Sequence, residues 1–425
     1  MSTDHGAAGT AEAQGPVEID SDLAERLADH RQTLFEKYEI PDAFPPEVLE
    51  SVADRTTNID DDVEEALENR PDLRDLTTWT VDPIDAQDFD DAISIEHRDD
   101  AIVLWVHIAD VTHYVDPETP LWDEAIRRGN TIYLPAYTNH MLPPILAETV
   151  CSLVADEDRL AHTVKMELDP ETLSYETIDI YKSVIRSDER LTYGEAEKRI
   201  DDPATPLHDD LLAVWNLAEE MHEQRKADGS LVLNPSRDRA HTIVEECMLK
   251  ANKAVTHELM WNRGLEAMYR VHPQPTPEEW DKALREIQEL DSVSIPSGNW
   301  DDPRKAVNAT LETAPDRQLR KIQRAVMKVM PRASYMSDPF GGHHALNFEL
   351  YGHFTSPIRR LSDLVNHWIV HTNDVPADLA NHCSHASERQ KAAEQCEREY
   401  KTFLREVGLD PYAVNNRGIE ILDDE

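Results

Sequence analysis

The stretch TWTVDPIDAQDFDDAISIEH, residues 78–97, carries Asp82, Asp85, Asp88, Asp90 and Asp91, and no lysine or arginine follows before Arg98. Like charges held close together disfavour one another's ionisation. If these carboxylates are buried, something of opposite charge must offset the crowding. Hard oxygen donors suit a divalent cation, magnesium or manganese. The stretch has no glycine, so it is not an EF-hand loop, which needs one at its sixth position. A solvated acidic loop is the other reading, and the spacing alone leaves both open.

A second constellation lies far down the chain, in HHALNFELYGHFTSPIRRLSDLVNHWIVH, residues 343–371. Thr355, Ser356 and Pro357 read as a helix start, with Ile358, Leu361, Leu364 and Val365 as its apolar face. Arg359 and Arg360 then fall in the first turn, where the helix dipole disfavours cations. Arginines placed there suit an anion held jointly with free backbone N–H groups. Pairing with Asp363 or surface acids is the alternative. Metal-binding carboxylates and an arginine-bearing helix start together suit phosphodiester hydrolysis. His107 and His113, in WVHIADVTH, stand six apart on an apparent strand, hence on one face, and read as structural.

The elements that must position these residues form a sheet first and helices after. TTWTVDP, AISIEH and AIVLWVHIADV read as strands, with a hairpin near residues 98–100. Residues 160–185 repeat the strand pattern around a turn at Asp169-Pro170. Helical periodicity covers 20–39, a short stretch through Ala53, LTYGEAEKRI, 207–227, 240–262, 280–290, 315–329, 359–370 and 384–407. The expected fold is α+β: a mixed, strongly twisted, largely antiparallel sheet surrounded by helices. Four parts are expected: a disordered tail at 1–18, a mainly helical extension at 19–70, the main domain at 71–407, and an acidic tail at 408–425.

The net charge is −43, from 85 acidic residues against 42 lysines and arginines. A basic footprint for nucleic acid is absent from that total. Acid spread over the whole chain also fits a coat for concentrated salt, where the Debye length falls to about 3 Å and self-repulsion costs little. The halophilic reading is preferred. Four scattered cysteines make no disulfide framework, and His382, Cys383 and His385 lack the ligand spacing of a zinc site. No apolar run is long enough to span a membrane, and the N-terminus has no signal-peptide core. A cytoplasmic protein is expected.

DPIDAQDFDDAIS, WVHIADVTHYV, RGNTIYLP…MLP…CSL and YGHFTSPIRRLSDLVNHW, in this order, resemble the catalytic domain of the ribonuclease II/ribonuclease R family, from about Leu73 to about Arg405. The chain looks like a haloarchaeal member. The resemblance implies a 3'-to-5' exoribonuclease that hydrolyses single-stranded RNA to 5'-nucleotides in one deep channel, using magnesium. It implies Asp82, Asp88 and Asp91 as metal ligands, and Asp90 as the aspartate most tied to the chemical step, helping to hold a second metal and its water. It implies Arg359 as the residue that holds the scissile phosphate, with Arg360 beside it, and Thr355 and Ser356 near the RNA. Tyr133 matches an aromatic that stacks the RNA several nucleotides from its end, and Tyr193 the tyrosine beside the terminal nucleotide. Glu246 falls on a helix lining the family's cavity, where a salt-bridging role fits as well.

The chain departs from the family pattern in two ways. The usual cold-shock and S1 modules are not legible on either side of the catalytic motifs, and Leu233 stands where an aromatic is common. A phosphodiesterase limited to short oligoribonucleotides and a catalytically silent RNA-binding scaffold are therefore kept as alternatives. A monomer is expected.

Overall fold

The computed structural model describes residues 15–55, 59–98, 100–234, 238–298 and 301–422. Most of the expected disordered tail, residues 1–14, lies outside them.

The centre is a six-stranded sheet. Across it run Tyr175–Arg186, Asp158–Leu168, Ile102–Ala109, Asp91–His97, Trp79–Asp82 and Glu189–Thr192. Every neighbouring pair is antiparallel except the last, which is parallel. This is the α+β architecture expected from the pattern, with most of the helices after the strands. Ile102–Ala109 is buried along almost its whole length, as a central strand covered on both faces should be. Tyr175–Arg186 lies at the edge and exposes much of its first half.

His107 sits in the middle of this sheet, fully buried. Its Nδ1 meets Thr163 Oγ1 at 2.8 Å and its Nε2 meets Ser94 Oγ at 3.1 Å. Thr78 and Ser183 extend the polar chain at either end. Burial drops the imidazole to about 3, so it stays neutral. His113 is not on the same strand face. The strand ends at Ala109, and His113 closes a short 3-10 turn, Val111–His113. The buried carboxylate of Asp110 causes the break: it draws in Arg70 at 2.7 Å, Lys182 at 3.1 Å and the Thr112 hydroxyl at 2.8 Å.

Two smaller cores flank the main one. Helices Pro277–Gln288, Pro303–Thr313 and Asp316–Met327 enclose Trp280, Ile287, Val307, Leu311, Ile322 and Val326. The other core is built by the two ends of the described chain. Val17–Asp20 pairs in parallel with Ile419–Leu422. Helix Ser21–Lys37 and the long helix Leu379–Glu406 then bury Leu27, Leu34, Phe35, Tyr400 and Leu404 together. The tail readings of 1–18 and 408–425 thus miss this pair of strands and the helix Pro411–Arg417. Their apolar partners lie some four hundred residues away in sequence, where no local pattern announces them. Among the described residues, no helix is long and apolar enough to cross a membrane.

Candidate active site

Asp82 closes strand Trp79–Asp82, and Asp91 opens strand Asp91–His97. The two strands are antiparallel, with Trp79 opposite Ile93. The loop between them therefore doubles back at one end of the sheet and returns Asp88, Asp90 and Asp91 toward Asp82. Ser152 fastens that loop. Its hydroxyl accepts the Phe89 N–H at 2.9 Å and donates to the Gln87 carbonyl at 2.9 Å. The Leu153 N–H bonds the Phe89 carbonyl at 3.0 Å.

Asp90 is the most enclosed of the set, 4% exposed. Its Oδ1 accepts the backbone N–H of Ile358 at 2.9 Å. Its Oδ2 has no hydrogen bond and lies 3.3 Å from Arg359 Nε. Asp82 Oδ2 is likewise buried without a hydrogen-bond partner. Burial, reinforced by Asp91, pushes the Asp82 carboxyl up to about 7. Burial raises Asp91 to about 6, although Arg359 and Arg360 oppose it. Burial also holds Asp90 well above the ordinary carboxylate range against the pull of Arg359.

Among the described residues, no three acidic, imidazole or thiol side chains already close on a single point as a coordination shell. The donors nonetheless fit a divalent cation. They are hard oxygens, two of them lack any hydrogen bond, and burial raises the carboxyls of Asp82, Asp90 and Asp91 despite the arginines nearby. Asp82, Asp88 and Asp91, with Asp90 beside them, are the residues that would hold such an ion.

The arginine segment differs from its sequence reading. The helix is Leu361–Thr372, with Arg360 at its cap position and no side-chain capping bond. Thr355 and Ser356 therefore do not cap it, and Ile358 and Arg359 lie outside it. Two forces hold the segment out of the helix. Asp363, fully buried in the first turn, accepts the Ser356 N–H at 2.8 Å and Arg360 Nη2 at 2.6 Å. On the other side, residue 360 bridges Asn130. The Thr131 N–H bonds the Arg359 carbonyl at 3.1 Å, and the Leu361 N–H bonds the Gly129 carbonyl at 3.0 Å. The two arginines are thereby separated. Arg360 is locked onto Asp363, with only 18% of its side chain exposed. Arg359 keeps 42% of its side chain exposed while touching Asp90 and, through Nη2, the Ser356 hydroxyl at 2.9 Å. Thr355 and Ser356 are buried beneath this loop.

Tyr133 lies on the short strand Ile132–Leu134. Ile132 and Leu134 anchor it in the core made by the chain ends, and Tyr133 between them turns the other way. Its hydroxyl donates to the Asp88 carboxylate. Burial and that neighbouring charge hold the phenol well above its usual range. Contact with a ligand candidate is a role the residue pattern did not assign.

Tyr193 starts helix Tyr193–Asp201, behind a Thr192–Glu195 capping box. Thr192 is the register partner of Asp82, which brings Tyr193 to the carboxylate end of the sheet. Its ring stacks on His241, centroids 3.7 Å apart.

Glu246 is 3% exposed on helix Arg239–His257. It accepts from Arg225 Nη2 at 2.5 Å and from His222 Nδ1 at 2.8 Å. Burial works against its charge, yet His222 and Arg225 hold it below the usual range. This salt bridge lines a cavity of about 280 Å³ shared with Lys250, Lys253 and Phe348. Leu233 packs partly buried against the three-helix core.

The pattern of residues had no means of finding three of these features: the Ile358 N–H on Asp90, the Ser152 clasp, and the Asn130–Arg360 bridge. Each joins segments distant in sequence. Ser152 does fall within the CSL motif.

Comparison with known proteins bears on the family and the fold. The RNB domain model matches residues 70–373. Ribonuclease R of Aquifex aeolicus is 32% identical over 408 residues, covering 88% of this chain and 57% of that protein. The Escherichia coli ribonuclease R is 33% identical over 360 residues, 78% of this chain and 43% of that one. The chain thus spans about half the length of these relatives. Among solved structures, Mycoplasma genitalium RNase R in complex with ribose-methylated single-stranded RNA gives a TM-score of 0.78 at 24% identity, over 89% of this chain and 64% of that one. Yeast Ssd1, described as a pseudonuclease, gives 0.69 at 21% identity, over 79% of this chain and 45% of that one. At these identities the structural likeness speaks to fold. With most of its length matched by the RNB model and its carboxylate loop and arginine segment meeting at one end of the sheet, the chain belongs to the RNB domain family.

Proposed function

We propose that this protein hydrolyses single-stranded RNA from its 3' end, releasing 5'-mononucleotides, with Mg2+ or Mn2+ held by Asp82, Asp88 and Asp91. One observation carries the reading: clustered carboxylates, with buried oxygens on Asp82 and Asp90 that lack hydrogen bonds, stand beside a half-exposed arginine, in a chain of the RNB domain family. A divalent cation bound there would neutralise a phosphate and lower the pKa of a water. Asp90, with Oδ1 fixed by the Ile358 N–H, has Oδ2 available to orient that water. Arg359 is placed to take the charge that develops on the phosphoryl oxygens. Arg360 acts through Asp363, which shapes the loop presenting Arg359. In this reading Tyr133 and Tyr193 stack bases, and stacking tolerates any sequence. RNA turnover by a monomer in the cytoplasm is the setting this reading implies.

A second reading has a specific observation behind it. A pseudonuclease shares the fold, and a fold does not fix an activity. The retained Asp82, Asp88, Asp90, Asp91 and Arg359 favour chemistry over silent binding.

The test uses 5'-labelled single-stranded RNA of about 30 nucleotides, in concentrated KCl with and without Mg2+. Wild type is run beside Asp90→Asn. Metal-dependent mononucleotide release, lost in the variant, is expected. RNA retention with no cleavage under any divalent ion would leave the silent reading standing. Cleavage of very short oligonucleotides alone would select the restricted phosphodiesterase.

A further inference from the structure

In a chain with 85 acidic residues against 42 basic ones, one stretch reverses the balance. Residues 315–332 read PDRQLRKIQRAVMKVMPR, with Arg317, Arg320, Lys321, Arg324, Lys328 and Arg332 against the single acid Asp316. Asp316–Met327 is helical. Positions 317, 320, 321, 324 and 328 are spaced so that they fall on one helix face. All five are exposed, while Gln318, Ile322, Ala325 and Val326 are buried on the other side. At 1.5 Å per residue the stripe is about 16 Å long. Lys328 pairs with Glu286 at 2.5 Å, and Arg317 meets Ser292 Oγ at 3.3 Å. Among the described residues, no carboxylate pairs with Lys321 or Arg324.

The stripe is also joined to the neighbourhood of the candidate site. Gln323, on the same helix, donates through Nε2 to the Leu233 carbonyl at 2.6 Å. Leu231 and Leu233 complete the core of the three helices. Ser230, next in sequence, lines the cavity that holds Arg225, Glu246, Lys250 and Lys253. The helix that carries the stripe is therefore tied, through its inner face, to the segment that lines this cavity.

We propose that this stripe is a docking track for the phosphate backbone of the RNA strand that feeds the site. The inference rests on the reading of the chain as an RNA-hydrolysing protein. Charge complementarity selects a polyanion, and a row of cations along one helix face suits a linear one. A protein partner fits less well. Met327 is the one exposed apolar side chain of this helix, whereas protein interfaces are built around buried aromatic and aliphatic anchors.

The test is the double variant Lys321→Glu with Arg324→Glu, beside the milder Lys321→Gln with Arg324→Gln in case the reversal impairs folding. Arg26→Glu with Arg405→Glu changes the net charge equally at the chain-end module and serves as control. Binding and cleavage of RNA of about 30 and of about four nucleotides are measured across a KCl series of about 0.2 to 2 M. On the long RNA, the stripe reversal is expected to raise KM about ten-fold at the lowest salt. It should also flatten the plot of log affinity against log [KCl] by about 0.7 for each phosphate that the variant no longer neutralises. The short RNA should be cleaved as by wild type, and the control should behave as wild type on both. Equal losses on both lengths, a control that loses as much, an unchanged slope, or polyglutamate bound more tightly than RNA would each overturn the proposal. Binding of the long RNA in EDTA tests the stripe even if wild type cleaves nothing, so failure of the hydrolytic reading would be seen separately.

Discussion

Arg359 Nε lies 3.3 Å from Asp90 Oδ2, and the two residues differ sharply in exposure: 42% of the arginine side chain is open, against 4% of the aspartate's. The pair thus joins a buried acid to a cation that a phosphate can reach. Removing Arg359 takes away the principal neighbouring charge that favours ionised Asp90. Arg359→Ala is expected to cut kcat by about 10²–10³-fold. The acidic limb of its pH–rate profile should move to higher pH, because Asp90 becomes harder to ionise. Arg359→Lys should recover part of the pH shift but less of the rate, since it lacks the planar fork. An unmoved profile with a full rate loss would confine Arg359 to the substrate.

Asp82 and Asp91 give a pH prediction with a definite sign. Their carboxyls are raised to about 7 and about 6 in the fold, above the usual carboxylate range. Their contribution to stability is present below about pH 4 and lost as pH rises through 6 to 7. Asp82→Asn removes the ionisable group. The metal-free variant should be more stable than wild type at pH 8, by about 1 kcal/mol or more, and equal to it near pH 3. Mg2+ should raise the melting temperature of wild type at pH 8 and that of the variant much less. Thermal melts with EDTA or Mg2+ at the two pH values decide it.

Metal dependence should itself vary with pH. Ligands bind a cation only when deprotonated. The Mg2+ concentration for half-maximal activity should therefore fall steadily between about pH 5.5 and 7.5, tracking the raised carboxyls. A flat dependence would place the metal on other groups.

Tyr133 has two separable functions. Tyr133→Phe keeps the ring but removes the hydroxyl that donates to Asp88. It should change the Mg2+ requirement and leave RNA affinity near wild type. Tyr133→Ala should also lose a stacking face worth about 1–3 kcal/mol, a weakening of RNA binding by roughly 5–150-fold. Equal RNA affinities for the two variants would remove stacking from the account.

Glu246 neutralises Arg225 in a buried setting, the two being 3% and 8% exposed in their side chains. Glu246→Ala should cost about 3–5 kcal/mol, the usual result of stranding one member of a buried pair. Chemical denaturation measures this directly. Replacing both, Glu246→Gln with Arg225→Met, should recover much of the loss. If stability is regained and RNA affinity is not, the pair also serves the cavity.

What the sequence by itself determined was the periodic and the punctuated. Alternating apolar residues around Pro83 and Asp169-Pro170 marked the strands, and helical spacing marked the long helices, because both patterns are local. The crowding of Asp82, Asp88, Asp90 and Asp91 into one turn was equally plain, since it is a property of ten consecutive residues. Tertiary structure decided the rest. Thr355 to Arg360 look like the start of a helix, yet residues 357–359 form a separate turn closed on the Ser356 carbonyl, and the Asn130 bridge extends Arg360 before the helix begins. The two adjacent arginines look alike, yet Asp363 takes Arg360 and leaves Arg359 to Asp90. Asp90 meets Ile358 across 268 positions, and the chain ends meet in a parallel strand pair. Such contacts depend on which surfaces the folded core brings together, and burial then sets the protonation of the carboxylates, a property that no run of neighbouring residues encodes.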